Sequence, residues 1–164
     1  AANKSDEHQA LAVTYKRNQP VVIAFNVEHH TLVGNERGVS VGCLDIGWAE
    51  LDAAVAVLEK GGPLSVMQCT SAYPCPPERA GLNVIGEMAR RYGLPVGFSD
   101  HVEGFAAAMA AAAQGATVIE KHLTFSRQMY GSDAANGMEP SDFERYCRSL
   151  RDVWTMTQHP VDKD

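Results

Sequence analysis

The chain has 164 residues, a formal net charge of -6 at pH 7, 45% hydrophobic residues and 21% charged residues. That length suits one domain with a sizeable core, and the composition is ordinary for a soluble globular protein. No Lys/Arg cluster marks a basic face, so no nucleic-acid partner is expected. The polar opening AANKSDEHQA lacks an apolar signal core, and the apolar stretch Phe105 to Ala113 is too short to span a bilayer, so no membrane partner is expected either.

The predicted elements alternate between short apolar runs and helical patterns. Glu7 to Lys16 reads as a helix feeding the first strand, Val21 to Val27 (VVIAFNV). Val39 to Cys43 (VSVGC) is the second strand. Only eleven residues separate the two, near the lower limit of about 10–12 for a parallel crossover with its helix. Gly34, Asn35 and Gly38 favour turns there, so that helix is expected to be shortened or lost. Trp48 to Lys60 places Leu51, Val55 and Leu58 on one stripe and ends at Gly61-Gly62. Leu64 to Cys69 (LSVMQC) is the third strand. Glu78 to Tyr92, with Leu82, Ile85 and Met88, is a helix ended by Gly93. Leu94 to Ser99 (LPVGFS) is the fourth strand, the Ala-rich Val102 to Gln114 a helix ended by Gly115, and Thr117 to Leu123 (TVIEKHL) the fifth strand. The last helix opens with Ser141-Asp142-Phe143-Glu144, a capping-box pattern after Pro140, and runs to about Thr157.

Strands that are short, β-branched and apolar on both faces, alternating with helices, argue for an α/β fold with a covered parallel sheet. A complete (β/α)8 barrel usually needs about 250 residues. Five strands are therefore either an open doubly wound sheet, which pattern alone favours, or part of a barrel. The cysteines Cys43, Cys69, Cys75 and Cys147 form no CxxC pair, and three lie in or beside apolar runs. A reduced, cytoplasmic setting is expected.

Three strand ends carry polar residues where an α/β sheet normally places its site. In Ser99-Asp100-His101 the period of two puts Ser99 and His101 on one face and Asp100 on the other. In Glu120-Lys121-His122 the same rule joins Glu120 and His122 and leaves Lys121 as a solvated or ion-paired residue. Two imidazoles and a carboxylate at successive strand ends form a plausible shell for a divalent cation, with water and substrate oxygens completing it. Mn(II), Mg(II) and Zn(II) all suit such ligands, and spacing does not choose among them. Cys69-Thr70-Ser71-Ala72-Tyr73-Pro74 gathers hydroxyls before a proline-stiffened turn, a setting able to bind phosphate. Gly131-Ser132-Asp133 lies in a Gly-rich loop. No phosphate-binding Gly-rich loop and no GxSxG elbow is present.

Four segments, CTSAYPCPPE, LPVGFSDHVEG, GATVIEKHLTF and GSDAANGMEPSDF, occur in an order and spacing that resemble the N-acetylneuraminate (sialic acid) synthase family, which includes legionaminic, pseudaminic and spore-coat polysaccharide synthases. The resemblance covers Val39 to Trp154 well and Val21 to Leu32 loosely. It implies a partial (β/α)8 TIM barrel, about the last five strands and their helices, over residues 20–158. A segment of residues 1–19 precedes it and a tail of residues 159–164 follows. It also implies an enzyme that condenses phosphoenolpyruvate with N-acetylmannosamine or a related amino sugar, giving a nonulosonic acid and phosphate. The cofactor so implied is a divalent metal, manganese foremost, with magnesium or others as alternatives. By motif position, His101 and His122 match the metal ligands. Glu120 and Asp133 match acids at the sugar, Ser40, Ser71 and Ser99 match hydroxyls around phosphoenolpyruvate, and Tyr73 matches an aromatic residue facing the sugar.

The chain also departs from the family pattern. The family strand resembling KIASFE falls on VVIAFN, so its lysine becomes Val21, its serine Ala24 and its glutamate Asn26. After Asp133 the family's histidine is Ala134, and its Phe-Ser is Asn136-Gly137. The expectation is a family member whose activity as this chain alone is impaired. The alternatives are a non-catalytic half-barrel and another metal-dependent barrel aldolase. A five-stranded piece with open parallel edges is further expected to self-associate or to pair with a missing half-barrel.

Overall fold

The computed structural model describes residues 11–16, 19–22, 32–35, 38–44, 46–130 and 134–163, with side chains from Ile46 onward. In chain order the strands are β1 (Leu11–Lys16), β2 (Gln19–Val22), β3 (Leu32–Asn35), β4 (Gly38–Leu44), β5 (Leu64–Cys69), β6 (Val96–Asp100) and β7 (Val118–Leu123). The helices are α1 (Trp48–Leu58), α2 (Asn83–Tyr92), α3 (Ala106–Ala113) and α4 (Pro140–Gln158). The described strands form one sheet in the order β2-β1-β7-β6-β5-β4-β3.

Its centre is a parallel block, β4 to β7. Val39 pairs with Leu64, Val66 with Val96 and Ser99 with Glu120 across successive strands. Helices α1, α2 and α3 connect these strands in turn, the β/α alternation read from the sequence. Among the described residues, no helix is long and apolar enough to cross a membrane.

The amino-terminal part differs from expectation. Leu11–Lys16, read as the end of a helix, is a strand paired antiparallel with β7 and with β2. Its apolar residues Leu11, Val13 and Tyr15 recur every second position, a strand period, and Val13 and Thr14 are β-branched. Of the predicted strand Val21–Val27, only Val21 and Val22 are described, and they pair antiparallel with β1. Between the first two predicted strands, the described residues hold β3, antiparallel to β4, in place of a helix. Both edges of the parallel block are therefore covered by antiparallel strands, and the outermost strands are β2 and β3.

Elsewhere the differences are local. Strand β5 spans the predicted Leu64 to Cys69. Strand β6 begins after Pro95, whose carbonyl still accepts from Val66 N at 3.0 Å. Gly97 lies where neighbouring strands approach closely: a Cβ there would stand 2.9 Å from both Met67 Cγ and the Val118 carbonyl oxygen. The predicted Glu78–Tyr92 helix splits into a 3₁₀ turn, Pro77–Arg79, and α2, because Gly81 between them has φ +67°. Helix α4 starts one residue before the predicted cap. Glu139 is its N-cap and Pro140 its first residue, so Ser141 lies inside the helix.

The core lies between the parallel block and its helices. Val66, Val96 and Phe98 from the strands meet Leu51, Ile85 and Met88 from α1 and α2, all buried. Helix α3 reads AAAMAAAA and buries Ala107, Ala108 and Ala111. Tyr146 and Leu150 of α4 are buried, and the Tyr146 ring stands edge-on to Phe105 at 5.6 Å. Cys69 and Cys75 are buried.

Candidate functional site

The site is built where β6 and β7 end side by side. Their register sets Ser99 against Glu120 and Asp100 against Lys121. Alternation along each strand then sends the two pairs to opposite faces. On one face Ser99 Oγ donates to Glu120 Oε1 at 2.8 Å. Burial pushes the Glu120 carboxyl above its ordinary range, and the Ser99 hydrogen bond pulls it partly back.

The other face holds a buried polar knot. Lys121 Nζ donates to Asp100 Oδ2 at 3.2 Å and to the Val102 carbonyl. Tyr146 OH donates to the same Oδ2 at 2.9 Å, and Val102 N to Asp100 Oδ1 at 3.0 Å. Burial raises the Asp100 carboxyl, opposed first by Lys121. Burial, then the Asp100 charge, raises the Tyr146 phenol. This knot ties β6 and β7 to α4 and fixes the strand ends that carry the histidines.

His101 follows β6 and is 9% exposed. Its Nδ1 lies 2.8 Å from the Thr70 carbonyl oxygen. A carbonyl only accepts, so Nδ1 carries the proton and Nε2 carries the lone pair. Nε2 lies 3.4 Å from Ser99 Oγ. The single Ser99 hydroxyl proton points to Glu120, so Ser99 turns lone pairs toward Nε2. Two lone pairs facing each other are stabilised by a proton or a cation between them. The His122 ring, from β7, is 5.4 Å from that of His101 at an interplanar angle of 37°. Two imidazoles that share a metal about 2.0–2.1 Å from each ligating nitrogen have ring centres roughly 5–6 Å apart, so the pair fits a divalent cation. Among the described residues, no group of three or more His, Cys, Asp or Glu side chains is clustered to hold a metal ion. The histidine pair would need oxygen ligands from water or substrate.

Tyr73 covers the pair. Its ring centre is 4.1 Å from that of His101 and 5.6 Å from that of His122, and it is 46% exposed. Ser71, in the same loop, is exposed. Ser40 lies on β4, in register with Ser65 of β5, and its side chain is not among those described. Asp133 lies outside the described residues, as do Ala24 and Asn26.

The sequence reading missed what surrounds His101. A cleft of about 150 Å3 opens beside it, lined in part by Glu103, Lys121, Arg127, Asn136 and Met138. Arg127 bridges its rim, donating from Nε to the Gly137 carbonyl at 3.1 Å and pairing with Glu103 at 3.4 Å. Nothing in the loop sequence around Arg127 marks it. Asp100 and Lys121 were not paired from the sequence, which left Lys121 solvated or ion-paired, although period two and adjacent strand ends place both on the face away from the histidines.

Comparison with known proteins gives these local features a frame. Residues 27–162 match the NeuB family. N,N'-diacetyllegionaminic acid synthase of Campylobacter jejuni is 34% identical over 119 residues, 70% of this chain and 35% of that protein. N-acetylneuraminate-9-phosphate synthase of Mus musculus is 38% identical over 110 residues, 64% of this chain and 31% of that protein. Among solved structures, the N-acetylneuraminic acid (sialic acid) synthetase of Leptospira borgpetersenii, in complex with citrate, superposes with a TM-score of 0.72 at 27% identity, over 77% of this chain and 45% of that one. The fold is thus a partial (β/α)8 barrel, and the chain spans about a third of the length of the curated relatives it matches.

Proposed function

The chain belongs to the NeuB family, and from that membership we propose that its site serves the condensation of phosphoenolpyruvate with N-acetylmannosamine or a related amino sugar, giving a nonulosonic acid and phosphate. The observation that carries this reading is the convergence of His101 and His122, 5.4 Å apart, beside the Ser99–Glu120 pair and under Tyr73. His101 and His122 would hold a divalent cation, manganese first. That cation, when bound, supplies Lewis-acid polarisation of the sugar aldehyde.

The chain's own residues do the rest. Glu120, with a carboxyl raised by burial, holds or moves a proton at the reacting oxygen, and Ser99 steers its Oε1. The half-exposed Tyr73 ring offers an apolar face to the sugar and shields the imidazoles from water. Ser71 is exposed, where a phosphate can reach its hydroxyl. Ser40 and Asp133 enter on motif position alone.

By motif position alone, in a segment that precedes the family match over residues 27–162, Val21, Ala24 and Asn26 fall where the resemblance places a lysine, a serine and a glutamate. A charge-assisted contact is worth about 1.5–3 kcal/mol, so the lost lysine alone weakens phosphoenolpyruvate binding by about one to two powers of ten. The reading is therefore a NeuB-type site impaired in this chain alone. The same three residues favour a second reading, a non-catalytic half-barrel that binds metal or sugar. Phosphate release from phosphoenolpyruvate and N-acetylmannosamine tests both. Slow turnover that requires manganese supports the impaired enzyme. No release at any metal concentration supports the half-barrel, and turnover equal to that of an intact relative contradicts the impairment.

A further inference from the structure

We propose that Gln68 and Thr70 are positioning residues that dictate which nitrogen His101 presents to the site. The inference rests on the reading of His101 as a ligand, and it extends that reading to the loop after β5.

That loop wraps His101 on three sides. Cys75 N donates to the His101 carbonyl at 2.8 Å, Tyr73 covers the ring, and the Thr70 carbonyl meets Nδ1. The Thr70 carbonyl also accepts from Ala72 N at 2.8 Å, so its direction is fixed by the turn it closes. A lattice beneath the loop holds that turn. Thr70 Oγ1 donates its one proton to the Arg79 carbonyl at 2.9 Å. Gln68 Nε2 carries two donors, directed at Thr70 Oγ1 at 3.5 Å and at the Ala80 carbonyl at 3.3 Å. Gln68 and Thr70 are each 7% exposed. The lattice therefore exchanges few of these bonds with water.

Gly81 is the independent sign that this lattice is built in. Its φ is +67°, and a Cβ there would stand 2.4 Å from Gln68 Nε2. Only glycine leaves the Gln68 amide its place. The chain of cause runs from Gly81 to the Gln68 amide, to the Thr70 hydroxyl and turn, and to the Thr70 carbonyl. That carbonyl puts the His101 proton on Nδ1 and turns the Nε2 lone pair toward Ser99 Oγ. Outer partners of this kind set the tautomer and orientation of ligating histidines.

The test reads the tautomer without any metal. Long-range proton–nitrogen correlation spectra of the ¹⁵N-labelled full chain, with His101→Gln for assignment, report which ring nitrogen carries the proton above the imidazole titration range. A proton on Nδ1 in the unmodified chain is expected. Thr70→Val and Gln68→Leu should each give a mixture of tautomers, and Thr70→Ser should restore the single form. An Nε2 proton in the unmodified chain overturns the proposal whatever the variants do. So does a single Nδ1 form that persists in both Thr70→Val and Gln68→Leu. Mn(II) alone, titrated into the same samples, should bind about 10–100-fold more weakly to Thr70→Val and recover in Thr70→Ser. If the unmodified chain binds no Mn(II) while the tautomers respond as expected, the metal reading fails and the positioning of His101 stands.

Discussion

Asp100 and Lys121 face each other across the β6–β7 register and form an ion pair of 3.2 Å, with side-chain exposures of 0% and 5%. The pair lies one residue from His101 and one from His122, on the opposite face of the sheet. It anchors both strand ends to Tyr146 of α4.

Breaking this pair from one side leaves a buried charge uncompensated. Lys121→Met is therefore expected to lower unfolding free energy by about 3–5 kcal/mol, measured by urea denaturation. Tyr146→Phe removes one hydrogen bond to Asp100 and should cost about 1–3 kcal/mol. Replacing all three, with Asp100→Leu, Lys121→Met and Tyr146→Phe together, should cost less than Lys121→Met alone. An equal or greater loss in the triple variant would show that the knot stabilises the fold outright.

Gly97 tests the packing of the parallel block. Gly97→Ala pushes a methyl group against Met67 Cγ and the Val118 carbonyl, and overpacking of this kind costs about 1–3 kcal/mol. Met67→Ala relieves only the side-chain half of the clash, because the carbonyl belongs to the β7 backbone. The double variant should stay destabilised in thermal unfolding. Full rescue by Met67→Ala would mean that β6 and β7 are not held as closely as the register requires.

Acid stability has a specific source at the α1–α2 contact. Arg91 donates from Nε and Nη2 to the two oxygens of Asp52 at 2.8 and 2.6 Å, and Tyr92 OH adds a third bond at 2.8 Å. The Arg91 bonds, then the Tyr92 bond, lower the Asp52 pKa to about 2. Because the folded value lies below the unfolded one, the contribution is complete above the ordinary carboxylate range and is lost as pH falls toward 2. Asp52→Asn should flatten the acid limb of the stability–pH profile. An unchanged acid limb would show that the cluster is screened into irrelevance, as exposed ion pairs often are. On the alkaline side, burial first and then Asp52 raise Tyr92 to about 12, so Tyr92, like the buried Tyr146, should ionise late in an ultraviolet titration.

The departures from the family pattern give a prediction about activity. Returning a lysine at Val21 and a glutamate at Asn26 should raise phosphate release. The lysine should do so by about one to two powers of ten, the worth of a charge-assisted contact. No gain in the double variant would contradict the assignment of those positions.

The sequence made the strand ends legible because period two is a local rule. Ser99 and Glu120, placed on one face by alternation, are bonded to each other, and Leu64–Cys69 has the bounds its apolar run indicated. Three things were not legible. The Leu11–Lys16 strand lay hidden in a segment whose polar residues also suit a helix, and only its pairing with β7 settles the matter. The antiparallel covering of the parallel block depends on contacts between residues far apart in sequence. The folding of Thr70 and Tyr73 onto His101 spans some thirty positions, 31 from Thr70, and no spacing motif announces it.

The central claim is that two strand ends converge to hold one cation. Titrating Mn(II) into the full chain, with free metal followed by electron paramagnetic resonance, tests it most directly. The account expects one Mn(II) per chain, lost in both His101→Ala and His122→Ala while circular dichroism shows each variant folded. Binding that survives either substitution, or no binding by a folded unmodified chain, would contradict it.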